Sequence, residues 1–223
     1  FYIDETTDSL NFVSTNQLQN KKIKPKRLLT LNNLIEAKAS SDGRYVALSY
    51  YDINKANIKI RPAVFDVENK KLHKIQETGI KSVSIIKNDD DYYVVGLKFH
   101  SQNKQVQIFK IDFYRDRINS FSKTAEIKLP ENTAALDFTD LQNGTFAFLL
   151  RTRLNYDICL AALDGTLLST AALPAQKITI RNMSHSPQRR ELLFSYTTPD
   201  QMPQLGTLSL PDQNNSQVIA SFW

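Results

Sequence analysis

Histidine, cysteine and clustered carboxylates are the side chains that chemistry would use most readily here, and their spacing argues against most of it. His73, His100 and His185 are the only histidines among 223 residues and fall in three separate stretches of the chain. Zinc sites and metalloprotease centres need nitrogen or sulfur ligands at close, fixed spacings, and no HxH, HExxH or CxxC occurs. Each histidine therefore reads as a surface or turn residue. The single cysteine, Cys159, excludes an internal disulfide. It stands in the apolar stretch Asp157-Ile158-Cys159-Leu160, where a thiol packs as a small hydrophobe, and no G-x-S-x-G elbow supplies another nucleophile. Six glycines, scattered singly, cannot form a phosphate-cradling loop. Asp89-Asp90-Asp91 could offer oxygens to a hard cation, but a calcium loop alternates its ligands around a glycine, and none follows at that spacing. The run reads as a solvated turn; Asp4, Glu5 and Asp8 carry less signal still. The expectation is a non-enzymatic chain with no cofactor and no metal site.

One charged feature remains. The net charge of +5 is concentrated in Lys21, Lys22, Lys24, Lys26 and Arg27, five cations in seven residues. Such a run is a solvated hairpin loop, a contact for nucleic acid or another polyanion, or a short nuclear-localisation-type address. Single-stranded nucleic-acid binding sets aromatic rings beside the charges, and the nearest, Phe12, is nine residues away, which favours the loop. Three N-x-S/T tripeptides, at Asn143, Asn182 and Asn214, would matter only in a eukaryotic secretory protein.

The elements that must carry these residues are strands. Hydrophobic residues make up 41% of the chain, enough for a core, and β-branched and aromatic types are abundant. Helical periodicity is nearly absent, whereas alternating or short apolar segments recur at Tyr45–Tyr50, Ile58–Phe65, Tyr92–Phe99, Val106–Phe113, Phe146–Leu150, Ile158–Leu163, Leu192–Tyr196 and Leu205–Leu210. No apolar run approaches the roughly 18 to 20 residues that cross a bilayer as a helix, so a soluble chain without a membrane span is expected. The chain starts at Phe1 with no basic start followed by an apolar stretch, which suggests a slice of a longer protein or a processed product.

The segments repeat. Ser40-Ser41-Asp42-Gly43-Arg44 precedes Tyr45–Tyr50, then Ile58–Asp66 and a short strand near Leu72–Ile75. Asn88-Asp89-Asp90-Asp91 precedes Tyr92–Phe99, then Val106–Asp112 and Ala125–Leu129. Gln142-Asn143-Gly144 precedes Phe146–Leu150, then Ile158–Asp164 and Leu167–Leu173. Ser184-His185-Ser186-Pro187 with Gln188-Arg189-Arg190 forms the turn before Leu192–Tyr196, then Leu205–Leu210 and Val218–Phe222. Each turn follows another apolar segment, at Ile35–Ala39, Val83–Ile86, Leu136–Phe138 and Ile178–Ile180, making four strands per unit at a period of about 50 residues. A four-stranded sheet cannot bury both faces alone, so the copies must stack, as the blades of a propeller do.

Ser41-Asp42-Gly43-Arg44-Tyr45-Val46-Ala47-Leu48 resembles the S-P-D-G-[KR]-x-[LIV]-A-F strand-turn-strand of TolB-like and WD-repeat β-propellers, and Ser184–Pro187 with Leu192–Ser195 echoes it. The resemblance covers the chain from about Leu34 onward as spacing, and as motif it is specific in one copy. It implies an all-β, propeller-like array of four-stranded antiparallel blades, about four and a half units. A β-sandwich is the alternative. The units are 1–33, a partial blade with strands near Leu10–Val13 and Arg27–Leu31, then 34–79, 80–132, 133–175 and 176–223. Blades present loops on a rigid ring, so the expected function is a protein–protein interaction scaffold within a larger assembly, with a protein partner. A small-ligand or enzyme-associated propeller, with channel side chains converging from several blades, is one alternative. A polyanion-binding module using Lys21, Lys22, Lys24, Lys26 and Arg27 is the other.

Overall fold

The structure is a computed structural model that describes residues 2–4, 9–12, 26–30, 33–54, 57–98, 104–152, 155–173, 179–186, 188–197, 202–210 and 219–222. Among the described residues every regular element is a strand. A short antiparallel sheet comes first, from β1 (Tyr2–Asp4), β2 (Ser9–Phe12) and β3 (Lys26–Thr30). Four four-stranded antiparallel sheets follow, arranged as propeller blades. Blade 1 contains β4 (Leu34–Ala39), β5 (Tyr45–Asn54), β6 (Asn57–Asp66) and β7 (Lys71–Lys74). Blade 2 contains β8 (Ile80–Asn88), β9 (Asp91–Lys98), β10 (Gln105–Tyr114) and β11 (Arg117–Lys128). Blade 3 contains β12 (Ala134–Gln142), β13 (Thr145–Arg151), β14 (Tyr156–Ala162) and β15 (Leu167–Ala172). Blade 4 contains β16 (Thr179–Ser186), β17 (Glu191–Thr197), β18 (Gln204–Ser209) and β19 (Ile219–Phe222).

Alternation along the second strands explains why the blades stack. On β13, Phe146 and Phe148 face blade 2, packing with Val95, Val106 and Ile108, while Ala147 and Leu149 face blade 4, packing with Leu192 and Phe194. Tyr45 and Ala47 of β5 likewise meet Ile85, Tyr92 and Val94 of blade 2, while Val46 and Leu48 share a cluster with Leu29 of the N-terminal sheet. Both faces of these strands are therefore dry, and each fully buried Leu or Phe contributes about 1.5–3 kcal/mol. The β-sandwich alternative is excluded by this order of sheets, in which each blade covers the next.

Three segments differ from what the sequence suggests. The N-terminal unit has a third strand, β1, which pairs with β2. Strand β11 runs from Arg117 to Lys128, not merely Ala125–Leu129, because it is the outer edge of blade 2 and most of its side chains meet solvent, erasing the apolar pattern. Strand β16 continues through Ser184, His185 and Ser186, and the turn is made afterwards by residues 188–190. The strand carries polar residues there because its end reaches a cleft rather than the core.

The Asp42-Gly43 turn forms as its residue types require. Gly43 has φ 72°, where a side chain is strained, and its N–H donates to Ser40 O at 2.9 Å. The Ser40 hydroxyl donates to the Asp42 carboxylate at 2.7 Å, and the Tyr45 N–H donates back to Ser40 Oγ at 3.1 Å.

Candidate functional site

The innermost strand of every blade carries an irregularity at the same place. Register against the second strand shifts between Leu34 and Glu36, Lys81 and Val83, Ala135 and Asp137, and Ile180 and Met183. Such bulges leave residues out of the ladder and re-aim the side chains beside them. At Ser82 the backbone takes φ 55°. The residues just past the bulges are Glu36, Val83, Asp137 and Met183, so two of four blades place a carboxylate there.

Those carboxylates tie blades together. Asp137 Oδ2 accepts the backbone N–H of Met183, in the next blade, at 2.6 Å. Glu36 accepts the N–H groups of Val83 and Ser82, again in the next blade. Lys38 on β4 reaches past blade 2 to β12, forming an ion pair with Asp137 and donating to the Phe138 carbonyl at 2.6 Å. Asp137 Oδ1 also accepts the N–H of Phe138 at 2.9 Å. Burial pushes the Glu36 carboxyl up to about 7; Lys38 opposes the rise and Asp137 adds to it.

Beside this floor lies a cavity of about 310 Å³ bounded by all four innermost strands, with Ile85, Phe138 and Met183 on its apolar side. Ser41, Asp140, Gln142 and His185 line it toward the strand-turn end. Asp140 accepts N–H groups from Gln142 at 2.7 Å and Lys87 at 3.3 Å. Burial raises the Asp140 carboxyl, against those N–H bonds, nearby His185 and the Ser41 hydroxyl. Burial lowers His185, against the pull of Asp140. A Ser-His-Asp relay requires histidine between the other two. Here Asp140 is the group that both Ser41 and His185 approach, so the order is wrong for activating a serine.

The residues singled out in the sequence are dispersed. Lys21, Lys22 and Lys24 lie outside the described residues, as do His100 and Asn214, while Lys26 and Arg27 belong to β3. The basic run thus ends inside a strand rather than wholly in a loop. Cys159 is buried on β14, and burial pushes its thiol up to about 11, which suits packing and not nucleophilic attack. Asp89 and Asp90 form the β8–β9 turn, and Asp91 pairs with Lys110 at 2.6 Å. His73, on β7, lines a second cleft of about 240 Å³ with Asp66, Asn69, Lys71 and Arg117, and burial, reinforced by Lys71, lowers its pKa. Among the described residues no group of three His, Cys, Asp or Glu could hold a metal ion.

Glu36, Lys38, Asp137 and Asp140 have no motif in the sequence, since Lys38 and Asp137 stand 99 residues apart. One signal was present: Ile35-Glu36-Ala37 and Leu136-Asp137-Phe138 each place a carboxylate inside an apolar segment, six residues before the turn residue that follows.

No protein-family model matches the chain, and no curated protein does. Solved structures do. TolB from Acinetobacter baumannii superposes with a TM-score of 0.59 at 11% identity, over 98% of this chain and 50% of that one. An oligogalacturonate lyase in complex with manganese superposes at 0.58 and 10% identity, over 96% and 59%. A prolyl endopeptidase does so at 0.55 and 15%, over 89% and 29%. The chain thus spans about half the length of the TolB structure, and likeness at these identities shows the propeller fold alone.

Proposed function

We propose that the chain is a non-enzymatic protein-interaction scaffold, a subunit or domain of a larger assembly. The observation that carries this reading is the β5–β6 hairpin of blade 1. Strand β5 runs four residues past its last partner on β4, and β6 extends alongside it, with Tyr51 opposite Ile60 and Ile53 opposite Ile58. One face of this extension is apolar, and Tyr51, Ile53 and Ile58 are 43%, 57% and 68% exposed. The other face carries Asp52, Lys59 and Arg61, with Arg61 and Asp52 paired at 2.5 Å. An apolar strand pair held out into water, rimmed by charge, is the type of surface that partners bury.

The non-enzymatic part of the reading is supported by the commitment of Lys38 and Asp137 to each other and by the order of Ser41, Asp140 and His185. The test uses the complex purified from the native source. Ile53→Lys and Ile58→Lys, at sites more than half exposed, are expected to leave thermal stability within about 0.5 kcal/mol of the parent and to weaken the stoichiometric partner at least tenfold. Retention of that partner by both variants, or a chain purified alone, would reject the scaffold reading.

A further inference from the structure

We propose that the cleft between the outer strands of blades 1 and 2 is a binding site for a phosphate monoester, its phosphoryl oxygens held between Lys71 of blade 1 and Arg117 of blade 2.

The two-residue period of a strand assembles this cleft. On β7, Leu72 packs into the cluster shared with the N-terminal sheet, so Lys71 and His73 on either side of it project toward blade 2. In the ladder Lys71 stands opposite Asp66, and His73 stands opposite Val64, which packs against Ile111 and Ile118 of blade 2. Across the boundary the chain turns at Arg115 and Asp116, with φ 49° and 59°, and presents Arg117 as the first residue of β11. Burial of the next residue, Ile118, against Tyr45 and Val64 anchors that end of β11 to blade 1. The result is the cleft of about 240 Å³ lined by Asp66, Asn69, Lys71, His73 and Arg117.

Its charges are unequally committed. Asp66 is buried, and its two oxygens accept the backbone and side-chain N–H groups of Asn69, each at 2.9 Å, so the β6–β7 turn itself uses the carboxylate. Lys71 makes no ion pair with it despite standing opposite. Among the described residues neither Lys71 nor Arg117 has an ion pair or a hydrogen bond. The acidic residue of the same turn that faces water, Glu68, lies 3.9 Å from Arg44. Burial, and then the Lys71 ammonium, lowers His73, with Asp66 opposing. A lone cation in open water needs no partner, but cations lining a concave site focus their field on whatever enters it.

The donors select the anion. Arg117 offers a planar fork and Lys71 a point charge, while His73 and Asn69 add N–H donors beside them. Because the cations approach from two blades, the anion must present oxygens in more than one direction. A phosphoryl group, with three terminal oxygens, does so; a planar carboxylate would spend both of its oxygens on the arginine fork. Such a group comes either on a small phosphate ester or on a phosphorylated side chain of a partner.

The test is titration of the unaltered chain with inorganic phosphate and with acetate at constant ionic strength, followed by backbone amide NMR. Saturable shifts at Asn69, Lys71, His73 and Arg117 are expected with phosphate, and at least tenfold weaker binding with acetate. Lys71→Gln and Arg117→Gln, both at exposed positions, should each weaken phosphate at least fivefold, whereas Lys123→Gln, elsewhere on β11, should leave it unchanged. Equal responses to phosphate and acetate, shifts centred away from those amides, or equal losses in all three variants would overturn the proposal, and the first comparison needs no variant to fold. Titration with glycerol 3-phosphate and with acetyl-phosphoserine-amide then separates the sources. Binding of the phosphoserine analogue at least as tight as that of glycerol 3-phosphate assigns the site to a partner's side chain, and weaker binding assigns it to a free ester.

Discussion

The hydroxyl of Tyr92, on the second strand of blade 2, donates a 2.5 Å hydrogen bond to the carboxylate of Asp42, in the turn of blade 1. Lys87 of β8 reaches the same oxygen at 3.1 Å, so the turn of one blade is fastened to the next by two side chains. Burial works to raise the Asp42 carboxyl, but the Tyr92 and Ser40 hydroxyls, the Arg44 N–H and Lys87 together hold it well below the usual carboxylate range. Burial, and then the bond to Asp42, pushes the Tyr92 hydroxyl up to about 12.

Removing that hydroxyl is expected to cost about 1–2 kcal/mol in Tyr92→Phe, the scale of a partly exposed hydrogen bond to a charged group. Asp42→Asn should cost a similar amount. Combined, the two should fall short of additivity by about 0.5 kcal/mol or more in urea unfolding. Strict additivity would mean that the blades are held by apolar packing with no help from this bond.

Glu36 makes stability depend on pH. Its carboxyl stands near 7 in the folded chain against 4.5 ordinarily, so the native state keeps a proton that the unfolded state releases. Stability therefore falls as pH rises from about 4.5 to about 7 and levels off above. His73 and His185, lowered by burial, act in the opposite sense and cost stability as pH falls below about 6.5. The difference between Glu36→Gln and the parent cancels the histidines. It should grow in favour of the variant by about 1–3 kcal/mol across that window, at about 1.4 kcal/mol per pKa unit. A pH-independent difference would show that the Glu36 carboxyl titrates as if in water.

Gly43 stands at φ 72° in the blade 1 turn. A β-branched residue is strained there, so Gly43→Val is expected to lower stability by about 1–3 kcal/mol. Chemical denaturation measures it, and a neutral variant would show that the turn relaxes at no cost.

Charge reversal at Lys22, Lys24 and Lys26 is expected to change neither stability nor any partner's binding by more than about 0.5 kcal/mol, the usual scale for surface substitutions. A polyanion contact behaves otherwise. Each phosphate neutralised would release counterion, and the logarithm of affinity for duplex DNA would fall by roughly 0.9 per contact with the logarithm of salt. A partner lost both in high salt and on this triple reversal, from a chain that remains folded, would move the functional site to the basic run.

Much of the fold was legible because it is local and repeated. Asp42-Gly43 before Tyr45–Leu48 specifies a turn into a buried strand, and the return of that order three more times forces stacked blades. Segments at the surface were not legible for the same reason. Arg117–Thr124 is an edge strand facing water, so no apolar pattern marks it, and His185 sits in a strand whose end lines a cleft and so reads as turn. Cys159 was read correctly as core, since its apolar neighbours on one strand decide its burial.

By itself, then, the sequence determined the class of element, the four-strand repeat and the absence of any compact catalytic or metal motif, all properties of residues near one another in the chain. Only the tertiary structure decided which charges meet. The bulges at Glu36 and Asp137 turn two carboxylates toward the following blades, Lys38 crosses to a residue 99 positions away, and Asp140 lines a cavity shared with residues of the other three innermost strands. Those outcomes depend on the angle at which one blade packs on the next. That angle is set by side chains that meet between blades, such as Tyr45 of blade 1, whose ring centroid lies 4.7 Å from that of Tyr92 and 5.9 Å from that of Phe113 in blade 2, and not by any local pattern in the chain.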